Sequence, residues 1–103
     1  MSIGIDYMKI MREEARLIIL RALAEQVNES LSSSMLEPVL ANFGINQERP
    51  WVHQQIEYLE TMGAVVVVSA GSIKIASLTD LGRRHVDRQS AIEGVKRPSR
   101  VGA

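Results

Sequence analysis

Hydrophobic positions recur with helical spacing over the first quarter of the chain. Arg16, Ile19, Leu20 and Leu23 lie on one stripe, and Met8, Met11, Ala15, Ile18 and Ala22 on another. The segment from Tyr7 to Val27 has no Gly or Pro, and Asp6 stands where an N-cap belongs, so a first helix is predicted over roughly residues 6–27. A helix in a small domain needs one apolar stripe. The second one, extended by Ile3 and Ile5, predicts a further packing neighbour or a second copy of the chain.

Residues 28–34 read as a polar connection. Ser34 and Glu37 have capping-box spacing, and Leu36, Val39, Leu40 and Phe43 give a second helix. Pro38 is expected in its first turn, and Gly44 fits a C-terminal position with positive φ. Ile45 to Arg49 form a turn and Pro50 opens a third helix. Val52, Ile56 and Leu59 face inward, and Gly63 ends it. Val65 to Ser69 are β-branched and continuous, Ala70-Gly71 is a turn, and Ser72 to Ser77 alternate, which together predict a β-hairpin. Thr79 caps a last helix over about residues 80–92. The domain therefore covers residues 1–93, and residues 94–103 read as a flexible basic tail. This order predicts a mainly α fold with one β-hairpin, a winged helix-turn-helix.

The chain has 103 residues, enough for one domain with a modest core. It has no cysteine, which removes disulfides, thiolate metal sites and cysteine nucleophiles. No apolar run reaches the ~20 residues needed to span a bilayer. The first residues lack the basic segment and apolar run of a secretory signal, so a cytoplasmic protein is expected. Formal charge is zero but unevenly spread. Residues 1–79 carry six Lys/Arg against nine Asp/Glu, and residues 80–103 carry six against three.

With Ile56 inward, Gln54, Tyr58 and Thr61 fall on the outer side of the third helix, with Arg49 at its entry. In a winged helix that side enters the major groove, where Gln54 reads adenine and Tyr58 and Thr61 reach phosphate or a thymine methyl. Lys74 on the hairpin and Arg83, Arg84 and Arg88 on the last helix would neutralise backbone phosphates. Against this, the outer side has no Lys or Arg, and Glu57 repels phosphate. Trp51, off the core stripe, is either a partner anchor or packs under the turn. Met8, Met11 and Ile18 are the candidate dimer contacts.

His53 and His85 are isolated and at no ligand spacing, so no metal or other cofactor is expected. There is no nucleophile–base arrangement and no phosphate-cradling glycine loop, so no enzyme is expected. Ser32-Ser33-Ser34 read as a helix-capping loop.

The stripe Arg16…Ile19-Leu20…Leu23, then Val52…Ile56…Leu59, Gly63, the hairpin and Leu78-Thr79…Gly82-Arg83, resembles the winged-helix core of ArsR-, MarR- and PadR-type bacterial regulators over residues 12–88. The ending Gly94-Val95-Lys96-Arg97-Pro98 resembles the tail of short winged-helix proteins of Mu-like phages and prophages. The resemblance implies a phage or prophage transcriptional regulator that binds double-stranded DNA as a homodimer. Sensor members of the ArsR type use cysteine or histidine metal sites, and this chain has no cysteine. The competing expectation is a winged-helix module that docks a phage or host protein without reading DNA.

Overall fold

The computed structural model describes residues 4–100. Helix α1 (Tyr7–Ala24) is N-capped by Asp6, whose carboxylate accepts from the Lys9 amide at 3.0 Å. Strand β1 (Ser30–Ser32) leads directly into α2 (Ser33–Asn42), and a turn leads to α3 (Arg49–Thr61). Strands β2 (Val65–Ala70) and β3 (Ile73–Leu78) form the hairpin, and α4 (Asp80–Val86) follows. Among the described residues this makes four helices and a three-stranded antiparallel sheet in the order β1-β3-β2.

The three longer helices close around Ile19, Leu20, Leu23, Leu36, Leu40, Val52, Ile56 and Leu59, and the sheet adds Val65 and Ala76 from below. Gly63 adopts φ +78° at the end of α3, as a left-handed exit requires. Gly82 serves a different need. A Cβ there would collide with the Ala64 carbonyl oxygen and stand 2.7 Å from Leu78 Cδ1, so only glycine lets α4 sit this close to the start of the hairpin.

Several local expectations are corrected. The connection at residues 28–34 contains β1, which pairs Ser30 with Ser77, Leu31 with Ala76 and Ser32 with Ile75. Asn28 accepts from the Ser30 amide, and Glu29 takes φ +56°, which turns the chain onto the sheet. The capping box does not form. α2 starts earlier, Ser34 Oγ pairs with Ser32 Oγ at 2.9 Å, and Glu37 faces Arg49. Pro38 consequently sits beyond the first turn, inside the helix, where its missing N–H removes one i→i−4 hydrogen bond.

α4 stops at Val86 instead of running to residue 92, because Arg88 adopts φ +62° and reverses the chain. The segment that follows is not a flexible tail over residues 94–100. Ile92, Val95 and Pro98 are buried, and the Lys96 amide donates to the Glu13 carbonyl at 3.1 Å. Residues 101–103 of the expected tail, and Ile3 of the expected second stripe, lie outside the described residues.

Candidate functional site

The expected recognition surface is built from α3 and the hairpin. Val52, Gln55, Ile56 and Leu59 face the core, so Gln54, Glu57, Glu60 and Thr61 are exposed on the other side. Gln54 stands free where the 3.6-residue period places it. Thr61 is exposed, but its hydroxyl donates back to the Glu57 carbonyl at 3.0 Å. Trp51 is half-buried and packs against the core, and its carbonyl accepts from Gln55 Nε2 at 3.2 Å.

Tyr58 does not stand free on this surface. Its hydroxyl donates to the Glu93 carbonyl at 2.7 Å, and the Arg16 guanidinium lies 3.6 Å from its ring centroid. Arg16 also donates to Gln55 Oε1 at 3.0 Å and to the Gly94 carbonyl at 2.8 Å. One arginine thus ties α1, α3 and the C-terminal segment together, with Tyr58 as its platform. Burial pulls the Arg16 pKa below its usual value, and the neighbouring Tyr58 works against that shift. Gly94 is held at φ +79° directly over Tyr58.

His85 is the second fastener of this segment. It is fully buried on α4. Its Nδ1 accepts from the Ile92 amide at 3.1 Å, which leaves the ring proton on Nε2, donated to the Lys96 carbonyl at 2.9 Å. Arg88 donates to the Pro98 carbonyl from the same side. The C-terminal segment is therefore clipped to the body by side chains that reach its backbone carbonyls.

The cations expected to meet phosphate are mostly matched by carboxylates. Arg49 Nε lies 2.8 Å from Glu37, and Lys74 Nζ lies 3.5 Å from Glu57. Arg83 pairs with Glu29, a hydrogen bond that raises its pKa. Arg84 is exposed and makes no ion pair among the described residues. α4 packs chiefly on α1, so its arginines do not extend the α3 surface. Along α3, its N-cap and the hairpin, the charged side chains are Arg49 and Lys74 against Glu48, Glu57 and Glu60, and Glu37 of α2 adds a further carboxylate beside Arg49.

His53 sits within this charge cluster. Its Nε2 is 2.9 Å from Ser33 Oγ, which itself accepts from the Lys74 amide at 3.1 Å. Burial lowers the His53 pKa, and Lys74 and Arg49 add to the effect. No group of three or more His, Asp or Glu side chains among the described residues is placed to hold a metal ion. No helix among them is long and apolar enough to cross a membrane.

The candidate dimer contacts divide. Met8 is exposed, Met11 is half-buried beneath Gln47, and Ile18 is buried at 8% exposure within its own chain. Residue patterning also missed an apolar surface on the hairpin. Val68 is paired with Ile75 and Val66 with Ser77 on the sheet's outer face, and Val66 and Val68 are 57% and 64% exposed. The unbroken valine run carried that signal, because a strand covered on one side only alternates with polar residues.

No protein-family model and no solved structure matches the chain. It is 34% identical over 89 residues to a protein of Escherichia phage Mu described as uncharacterized protein gp26, an alignment that covers 86% of this chain and 92% of that protein. The Mu-like phage setting implied by the C-terminal motif therefore holds. With more than a third of aligned positions identical across nearly the whole length of both proteins, the chain belongs to the family of the phage Mu protein gp26.

Proposed function

We propose that this chain is a winged-helix module of a Mu-like phage that docks protein and does not read DNA sequence. The helix-strand-helix-helix-hairpin order supports the winged-helix reading, with α3 in the recognition position and β2-β3 as the wing.

The observation that carries the function is the charge around α3. Phosphate contacts position a DNA-binding protein before any base is read. Exposed ion pairs are weak, so pairing alone does not withhold Arg49 or Lys74 from phosphate. The carboxylates beside them do, because they leave the surface acidic where it would meet a polyanion. Tyr58, expected on that surface, serves instead as the platform for Arg16.

The wing favours protein. β2 is an outer strand of the sheet, and Val65–Ala70 contains no charge and no proline to discourage pairing. An extended, uncharged segment of a phage or host protein added along β2 would gain main-chain hydrogen bonds and cover Val66 and Val68.

The test is a titration of random-sequence duplex DNA followed by fluorescence anisotropy. No saturable complex is expected at ~50 mM salt, where phosphate binding is strong. A complex at that salt that weakens steeply towards ~200 mM overturns the proposal.

A further inference from the structure

We propose that the strand added along β2 is β2 of a second copy of this chain, joined antiparallel about a two-fold axis at Val68. This rests on the reading of the wing as a protein-docking surface and names its partner.

The hydrogen-bond register leaves the edge open. Leu78 donates its amide to the Glu29 carbonyl and Lys74 donates its amide to Ser33 Oγ, both on the side of β3 away from β2. Backbone direction alternates along an antiparallel strand. Ile73, Ile75 and Ser77 therefore exchange hydrogen bonds with their partners Ala70, Val68 and Val66. Val67 and Ser69 turn both N–H and C=O to the open edge. Val65 is buried at 2% exposure, so the accessible edge runs from Val66 to Ala70. At the opposite side of the sheet β1 has three residues and runs straight into α2, which leaves β2 as the extended edge.

A two-fold axis at Val68 matches this edge to itself. Val67 of each copy comes opposite Ser69 of the other, and the two pairs exchange their main-chain hydrogen bonds in both directions. Val68 meets Val68, and Val66 meets the small Ala70, all on the outer face where both valines are exposed. Two three-stranded sheets become one continuous sheet.

The absence of charge favours a second copy over a foreign strand. Any charged residue beside a two-fold axis faces its own like. β2 has none, and Lys74, the one charge in the strands of the hairpin, lies opposite Ser69 on the inner face, 3.5 Å from Glu57. A foreign strand is selected by complementary charge, which β2 does not offer.

Sheet-edge pairing covers little area, so affinity is expected to be micromolar and the measurement is made at about 0.5 mM chain. Light scattering should then give two chain masses. Val68→Lys and Val68→Glu should each give one, with unchanged circular-dichroism spectra, because Val68 is exposed in the monomer. Mixing the two variants should restore the double mass, because at the axis residue 68 meets only residue 68.

Val68→Cys in this otherwise cysteine-free chain should oxidise to a covalent dimer, since directly opposed residues of this kind have Cα atoms about 4.5 Å apart. Val66→Cys should not, because its two copies lie four residues apart along the strands, ~13 Å.

A single chain mass for the wild type at that concentration overturns the proposal. So does a dimer indifferent to Val68→Lys, failure of the mixed variants to associate, or cross-linking of Val66→Cys as fast as Val68→Cys. Each of these leaves the docking reading standing, since β2 then remains open to another protein. A salt-sensitive complex with duplex DNA overturns that reading instead, whatever the mass of the chain.

Discussion

Replacing Gly94 by alanine tests the clamp over α3. Two costs add at this position. The first is conformational, because φ is +79° and an L-residue in the left-handed region loses about 1–2 kcal/mol. The second is steric, because a Cβ at residue 94 would collide with the Tyr58 hydroxyl and stand 2.7 Å from Cζ. Tyr58 cannot yield freely, since its hydroxyl is bonded to the Glu93 carbonyl and its ring carries Arg16. Overpacking of this kind costs about 1–3 kcal/mol.

The two together predict a loss of about 2–5 kcal/mol. Gly44 provides the control, with φ +81° and nothing within 4 Å of an added Cβ. Gly44→Ala should therefore cost only the conformational part, about 1–2 kcal/mol. Urea denaturation of both variants, with stabilities compared at equal m-value, separates the two costs. If Gly94→Ala is no more destabilising than Gly44→Ala, the C-terminal segment is not seated on Tyr58 and the clamp is wrong.

Other outcomes follow from the same contacts. Arg16→Ala removes hydrogen bonds to Gln55 and Gly94 and the stack on Tyr58, and it should cost about 2–4 kcal/mol. Hydrogen exchange should then quicken at the Val95 and Lys96 amides before it does in the core helices, and uniform quickening would contradict a local clamp. The His53 pKa is lowered in the folded protein, so the unfolded chain binds the proton more readily. His53 should therefore support the fold fully above its ordinary value of 6.5, and that support should fall away as the pH drops through and below 6.5. A pH series of thermal melts should show the decline flattened in His53→Gln, and an identical decline in the variant would refute the assignment.

The helices and hairpin were legible because their signals are local. Gly44, Pro50 and Gly63 mark chain reversals that few residues replace, and the valine run has no comfortable helical alternative. β1 was not legible, because two of its three residues are serines whose side chains favour loops and caps, and its pairing with β3 is decided 45 residues away.

The C-terminal segment was hidden for another reason. Its fasteners, Arg16, Tyr58, His85 and Arg88, reach the carbonyls of Glu93, Gly94, Lys96 and Pro98. Every residue carries a backbone carbonyl, so nothing in the sequence distinguishes those that will be used. The same blindness affected the candidate site. The period of α3 placed Gln54 and Tyr58 together on its outer side, but only the returning chain separates the free glutamine from the engaged tyrosine. Pairing of Arg49 with Glu37 and of Lys74 with Glu57 joins residues from different elements, which a count of charges along the chain does not reveal.

The claim that α3 and its wing do not read DNA is tested most directly by amide-resolved NMR during addition of a duplex at low salt. The account predicts that the amides of Arg49, of residues 51–61 and of residues 70–74 keep their positions throughout. Saturable shifts along those residues, strongest at Gln54 and Lys74 and abolished by added salt, would contradict it.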